Sequence, residues 1–452
     1  MSQMQWARLL APTRLSERRK GAVDEVGRSP FHKDHDRIIF AGSFRRLGRK
    51  TQVHPLTEND HIHTRLSHSL EVGCVGRSLG MMVAERLSDH MPDYVTPADL
   101  GVIVQAACLA HDIGNPPFGH AGEYAIRDWF RAARERTPEL FEGLSDAQME
   151  DLLTYEGNAQ GFRVVTQIEY NQFSGGMRLT AATLGALLKY PWTVEHALEG
   201  GKFGAYQSER ELLAQAAEMV GLKRQSPDVS AWSRHPLAYL VEAADDICYA
   251  LLDLEDGVEM DILGFNEVAE VLGQIAGLPP HDDFFTELAH MEAAGVSRRR
   301  RMAMMRGVAM DRAVIEVAEA FVSNEQRLLE GALSGDLLRY CPEHLRSGVM
   351  RAKQMARERI FKNARKAKLE IGAYTTLGTL LEAFIGAAYE LYSTGTTNYK
   401  HQRVLMLIGE NTPQPSWDLY ASYRRMLDFI GGMTDHYAVD LAQEMGGRLR
   451  GD

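Results

Sequence analysis

The stretch Ala110-His111-Asp112-Ile113-Gly114-Asn115-Pro116-Pro117-Phe118-Gly119-His120-Ala121-Gly122-Glu123 places two histidines and two carboxylates at the end of an apolar run. An ionised carboxylate in such a place is costly unless it is paired or bound to a metal. The periodicity predicts a helix from about Pro97, a good first-turn residue, to Ile113. Leu100, Val104, Ala107 and Cys108 share a face with His111, so His111 emerges from the buried stripe with Asp112 beside it. Gly114, Pro116 and Pro117 stop the helix, and a new one is expected near Gly119. It carries His120 and Glu123, which are three residues apart and can meet on one face. A carboxylate that orients a histidine is an acid–base arrangement. The bland alternative is a helix-start glutamate favoured by the helix dipole.

Upstream, Arg65 to Arg86 is helical in pattern, with Val72, Val75, Leu79, Met82 and Val83 on one face. His68 lies four residues before Val72 and points into the core with that stripe. His54, His61 and His63 precede the helix. Their spacing lacks the pattern of a structural zinc site, and at most one of them is expected to be functional. Downstream, residues 236–256 form another helix. Asp245 shares its face with Val241, Cys248, Tyr249 and Leu252, whereas Asp246 shares its face with Glu242 and Asp253. Asp245 is therefore the better candidate for a buried ligand, with Asp246 as the alternative. Three helices far apart in sequence thus offer His68, the pair His111-Asp112, and Asp245. Two imidazoles and two carboxylates suit one divalent cation of the Mn, Fe, Co, Ni or Zn group. Such an ion can polarise a phosphoryl oxygen.

A net charge of −11 argues against a protein built mainly to coat nucleic acid, but a local basic pocket can still oppose it. Arg45, Arg46, Lys50, Arg65, Lys189 and Lys202 are candidates for that pocket. The cations from Phe44 to Val53 read equally as phosphate contacts or as a solvated helix face. Gly200-Gly201-Lys202-Phe203-Gly204 is a glycine turn and not a Walker A loop. Residues 127–150 read as a surface helix and loop. Arg298-Arg299-Arg300-Arg301 reads as a solvated helix start or an oligomer contact, with an anionic effector or nucleic acid as the alternative. Asp428-Phe429-Ile430-Gly431-Gly432-Met433-Thr434-Asp435 is distinctive, but composition assigns it no role. The four cysteines, Cys74, Cys108, Cys248 and Cys341, form no C-x-x-C pair, which fits a reducing cytoplasm. No secretory h-region and no long apolar span is evident. The signal is helical almost throughout.

His…His-Asp…Asp resembles the signature of the HD superfamily of metal-dependent phosphohydrolases. The likeness extends through Arg28-Ser29-Pro30-Phe31, Asp36-Arg37-Ile38-Ile39-Phe40, Phe44-Arg45-Arg46-Leu47, Lys50-Thr51-Gln52-Val53, Thr64 to Val72, the His111–Glu123 stretch, Glu242-Ala243-Ala244-Asp245-Asp246-Ile247 and Gly432-Met433-Thr434-Asp435. Together these motifs resemble the bacterial deoxyguanosine-triphosphate triphosphohydrolase family from about residue 8 to residue 440. The resemblance implies an all-α fold, an HD-domain helical core with an additional helical C-terminal lobe. Residues 1–60 are expected to contribute to the site and to oligomer contacts, 61–260 to form the core, and 261–452 the C-terminal region. It further implies hydrolysis of a dNTP to a deoxynucleoside and inorganic triphosphate. His68, His111, Asp112 and Asp245 match the family's metal ligands, and His120 and Glu123 its catalytic pair. Arg65 matches a phosphate-contacting arginine. Gln52 and Asp253 match groups near the sugar 3′-hydroxyl, and Tyr249 a residue packed on the deoxyribose. Lys189 and Lys202 are implied phosphate ligands. Asn115 stands where relatives often have a histidine, so a cationic acid is missing at that position.

The implied cofactor is one divalent transition metal per subunit, with Mn, Fe, Co or Ni ahead of Mg or Zn. The implied assembly is a homo-oligomer, commonly a hexamer, often controlled by dNTPs or single-stranded DNA and not associated with a membrane. Two other readings stand beside this one: an HD phosphodiesterase releasing a monophosphate, and a regulatory dNTP- or DNA-binding protein with little turnover.

Overall fold

Two pairs of helix caps fix the elements around the deciding stretch. Thr64 and Ser67 cap each other's backbone at the start of one helix, and Thr96 and Asp99 do the same at the start of the next. Each such cap contributes about 1 kcal/mol. The computed structural model describes residues 3–15, 27–52, 63–169, 176–197, 201–226, 229–279, 281–362 and 364–448. His54 and His61 lie outside the described residues.

In chain order the elements used below are α1 (Pro30–Ile39), α2 (Arg65–Arg86), α3 (Pro97–Ala110), α4 (His120–Arg136), α5 (Gly157–Arg163), α6 (Ala181–Leu187), α7 (Pro236–Glu259), α8 (Phe265–Ile275), α9 (Arg298–Ser323), α10 (Glu343–Met355), α11 (Ala364–Thr394), α12 (Leu419–Gly431) and α13 (Asp435–Met445). Among the described residues the only sheet is an antiparallel pair of short strands, Arg224–Ser226 and Ala231–Trp232. The protein is all-α.

α2 and α3 lie against each other unusually closely. Gly73, Gly76 and Gly80 line the contact, and a Cβ on Gly80 would stand 2.8 Å from the carbonyl oxygen of Leu100. A first core joins Val72, Leu79 and Val83 of α2, Leu100, Val104 and Leu109 of α3, Leu240, Ile247 and Leu251 of α7, and Val317 and Phe321 of α9. A second core joins Ile126 and Phe130 of α4 and Leu152 to Leu377, Leu381 and Phe384 of α11 and Leu427 and Ile430 of α12.

One sequence expectation is corrected here and another is filled in. Residues 127–150 are not merely surface, because Phe130, Ala133 and Phe141 are buried in the second core against helices more than two hundred residues away. The basic run at 298–301 starts α9 as expected, but three of its members are paired within the chain. Arg298 meets Asp261, Arg299 meets Glu259, and Arg301 meets Glu292 while its guanidinium lies 4.4 Å from the centroid of the Phe265 ring. One helical segment, Ala367–Thr394, is long and apolar enough by length and composition to cross a membrane. Here Leu377, Leu380, Leu381, Phe384 and Ile385 bury it in the second core.

Candidate active site

α2, α3 and α7 bring their chemistry to one place. His68 sits in the first turn of α2, directly after the Thr64 cap, and is buried. α3 ends at Ala110, three residues before the expected end, and residues 111–114 form turns. The turn makes His111 bend back, so that its Nδ1 meets the carbonyl oxygen of Cys108 at 2.6 Å. That contact fixes the ring and leaves Nε2 for another partner, as in ligating histidines generally. Nε2 lies 3.6 Å from an oxygen of Asp112 and 3.6 Å from Oδ1 of Asp245. His68 Nε2 lies 3.0 Å from the same Asp245 oxygen, and the two imidazoles meet edge to face. One ligand atom each of His68, His111 and Asp112 falls within a 4.8 Å span. Metal–ligand bonds of about 2.0–2.2 Å put neighbouring ligand atoms roughly 3 Å apart, so these separations suit a single cation. Asp246 turns away and pairs with Lys353 at 2.6 Å, which leaves Asp245 as the carboxylate that faces the imidazoles.

The electrostatics agree with a cation site. Burial pushes the Asp245 carboxyl up, but His111 and His68 hold it well below the usual range. Burial likewise opposes ionisation of Asp112, while Arg65, His111 and His68 bring it down to about 2. Both are ionised at neutral pH. Arg65 also ion-pairs with Asp112, and the Asn115 side chain donates to it.

His120 begins α4 after an unusual turn in which Phe118 has φ +65° and Gly119 φ +59°. Its side chain is 76% exposed, against 3% for Glu123, whose Oε2 lies 3.0 Å from His120 Nδ1. Glu123 is held on its other side by the Gly157 N–H at 2.7 Å. Burial raises its carboxyl, yet His120, Lys202 and Arg127 lower it overall. Glu123 is thus an anchored carboxylate with a solvent-facing imidazole on it, and not just a helix-start charge.

A cleft of about 440 Å³ joins these groups. Gln52, Arg65, His111, Asp112, Asn115, His120, Glu123, Lys189, Lys202, Asp245 and Tyr249 all line it. Lys189 pairs with Glu242 and Lys202 with Glu156. The Tyr249 and Phe361 rings stand 5.9 Å apart at its edge. Sequence reasoning missed Glu156, Asn158, Tyr190, Phe361 and Glu370, which also line the cleft. Glu156, Tyr190 and Phe361 stand outside the α-helices, Asn158 at the start of α5 and Glu370 on the distant α11, so no shared periodicity joins them.

Several expected positions fall elsewhere. His68 is buried behind the lining, and Asp253, also buried, does not line the cleft. Arg45 and Arg46 end a short helix outside it, and Lys50 is buried with backbone partners. The reason is the same for all three cations: the 42–50 segment turns its apolar frame, Phe44 and Leu47, inward and leaves its charges to be solvated or sunk. His63 is a bracing residue, with Nδ1 2.7 Å from Asp256 and Nε2 3.3 Å from Glu71.

Comparison with known proteins shows the family. The HD domain family matches residues 65–220, which contain α2, α3 and α4. The chain is 54% identical over 451 residues to a deoxyguanosinetriphosphate triphosphohydrolase-like protein of Pseudomonas aeruginosa, covering 98% of this chain and 99% of that one. A protein of the same name from Synechocystis is 38% identical over 98% of this chain and 99% of its own length. A deoxyguanosinetriphosphate triphosphohydrolase of Salmonella paratyphi A is 30% identical, covering 91% of this chain and 92% of its own.

Proposed function

The chain belongs to the deoxyguanosinetriphosphate triphosphohydrolase-like family of HD-domain hydrolases, and from that premise we propose that it is a metal-dependent dNTP triphosphohydrolase. It takes dGTP or another dNTP and releases the deoxynucleoside and inorganic triphosphate. The observation that carries this reading is a single cleft in which a set of nitrogen and oxygen ligands, an oriented imidazole and three cationic side chains face one another.

His68, His111, Asp112 and Asp245 are the residues that would hold one divalent cation, and the mixed imidazole and carboxylate set suits Mn, Fe, Co or Ni. When bound, the ion supplies Lewis-acid polarisation of a phosphoryl oxygen. The remaining work falls to the chain. Arg65, Lys189 and Lys202 each already face a carboxylate, so a triphosphate entering the cleft competes for cations that are in place. Asn115 can donate a hydrogen bond to phosphate but cannot deliver a proton as a cation. Water attacks the α-phosphorus and loses its proton to solvent, the bond to the 5′-oxygen breaks, and that oxygen takes a proton from His120 as it leaves. Glu123 stabilises the protonated imidazole through Nδ1 and keeps the other nitrogen directed outward. Tyr249, one turn after Asp245, packs against the deoxyribose and sterically disfavours a 2′-hydroxyl. Gln52 lies in reach of the sugar, whereas Asp253 acts from behind the cleft wall.

Product identity tests the reading. Metal-loaded protein is incubated separately with dGTP, dATP, dCTP, dTTP and GTP, and the products are resolved by ion exchange. Deoxynucleoside plus triphosphate is expected, with GTP turned over poorly. Monophosphate plus pyrophosphate would instead make the protein a phosphodiesterase-type hydrolase, and no turnover with any nucleotide or metal would leave a binding protein.

A further inference from the structure

The stretch from 428 to 435 and the lysine at 50 have no part in the chemistry above, yet they meet at its edge. Lys50 is 3% exposed, and its Nζ donates to the carbonyl oxygens of Asn115 at 2.6 Å and of Gly431 at 2.7 Å. Neither partner is a carboxylate. Burial, with Arg46 nearby, lowers the ammonium to about 7, which reflects how poorly this setting compensates a cation. Asp435, fully buried, reaches the same place from the other side. Its Oδ2 accepts from the Thr51 N–H at 3.0 Å and the Thr51 hydroxyl at 2.7 Å, and its Oδ1 accepts from the Phe118 N–H at 2.9 Å. The strap formed by Lys50 and Thr51 is itself tied to α2, because the Arg65 N–H donates to the Lys50 carbonyl at 3.1 Å and Thr51 bridges to Thr64.

These contacts bracket one turn. Asn115 stands three residues after Asp112, and Phe118, in a left-handed conformation that costs a non-glycine residue of order 1 kcal/mol or more, stands two residues before His120. The turn between ligand and acid is therefore held at both ends by groups that touch neither metal nor substrate. We propose that Lys50 and Asp435 are positioning residues: they clasp the Asn115–Phe118 turn to the C-terminal lobe and so hold His120 in register with Asp112 and the substrate. The inference rests on the reading of His120 given above.

The clasp predicts a split between rate and binding. The side chains of Lys189 and Lys202 pair elsewhere and Arg65 meets the clasp only through its backbone N–H, so Lys50→Met and Asp435→Asn lower kcat by about ten- to a hundredfold, while KM changes by less than about threefold and metal content stays at the wild-type level. Hydrogen exchange reads the same clasp without any activity. In Asp435→Asn the amides of Asn115, Phe118 and Gly119 exchange at least tenfold faster, while those of α3 between Val102 and Leu109 keep their rates. A merely structural role would move both sets together. Thr51→Val, which removes only the hydroxyl donor, gives a smaller effect of the same kind and serves if the two stronger variants do not fold. Wild-type kcat in folded Lys50→Met or Asp435→Asn overturns the proposal, as does faster exchange across α3 and the turn alike. If the wild-type protein turns over no dNTP, the functional reading fails, and the exchange experiment still decides whether the clasp exists.

Discussion

The charges around His111 and those around Arg163 are both buried, but the second set is paired largely within itself. Arg163 grips Asp428 with two parallel bonds of 2.8 and 2.7 Å and also reaches Glu209 at 2.5 Å. Gln160 links Asp428 to Arg424 with bonds of 3.0 and 2.6 Å, and the Arg424 guanidinium lies 3.4 Å from the centroid of the Tyr206 ring. The donors there point at acceptors within the set, directly or through the Gln160 amide, although Nε and one Nη of Arg424 find none. Around His111 the balance differs. Two carboxylates and two imidazoles converge, Arg65 is the one arginine paired into the group, and the atoms face a cleft. A buried network that satisfies itself ties elements together, whereas one whose lone pairs converge on a common space is arranged for a cation from outside. The difference lies in direction and not in how much charge is buried.

This contrast can be broken by experiment. The largest effect is expected from Asp245→Ala, which removes the oxygen facing both imidazoles. Metal content by elemental analysis should fall to near background and turnover by roughly three to four orders of magnitude, since metal polarisation supplies several kcal/mol. Full metal retention would show that the convergent set is not the ligand set. Next comes Asp428→Asn in the closed network, which leaves Arg163 with less than its due charge. Breaking such a pair destabilises by about 3–5 kcal/mol, read as a lower denaturation midpoint, while activity per folded molecule stays within about twofold. A large loss of specific activity there would erase the distinction between the two clusters. His120→Ala should lower turnover by about a hundredfold or more with metal content unchanged, and loss of metal in that variant would refute its assigned role.

The smallest effect concerns His63, which braces α2 to α7. Burial lowers its pKa, but hydrogen bonds to Asp256 and Glu71 outweigh this and raise it to about 10. The folded pKa exceeds the unfolded value near 6.5, so the pairing stabilises fully below about pH 6.5 and fades as pH rises toward 10. The gap in melting temperature between wild type and His63→Gln should therefore shrink over that range. A gap that widens instead would mean that His63 is neutral in the folded protein.

Where structure follows local pattern, the sequence carried it well. α2 runs from Arg65 to Arg86 as its periodicity predicts, because Thr64 and Ser67 cap it and no breaker interrupts its apolar stripe. The separation of Asp245 from Asp246 follows from which helix face each occupies. Periodicity alone could not show that α3 stops at Ala110, since the turn at 111–114 is fixed by the Cys108 carbonyl contact of His111 and by Gly114 packing against α5. Nor could it place Lys50. A lysine in a mixed basic and apolar run has no local mark that distinguishes a phosphate contact from a buried donor to two carbonyls, one of them 381 residues away. The burial of Phe130 and Phe141 was hidden for the same reason, as their partners lie in α11 and α12. Long-range pairing, and not residue type, is what the pattern leaves out.

The clasp at Lys50 also bears on how the protein is made. A ribosome that has delivered residues 1–400 has produced every candidate ligand, the His120–Glu123 pair and the three cations of the cleft. It has not yet produced the Gly431 carbonyl that receives the lysine, nor the carboxylate of Asp435 that holds Thr51 and Phe118. The core that carries the candidate ligands draws its buried residues from no further than Ile360, but the turn before His120 locks only when the last helices dock.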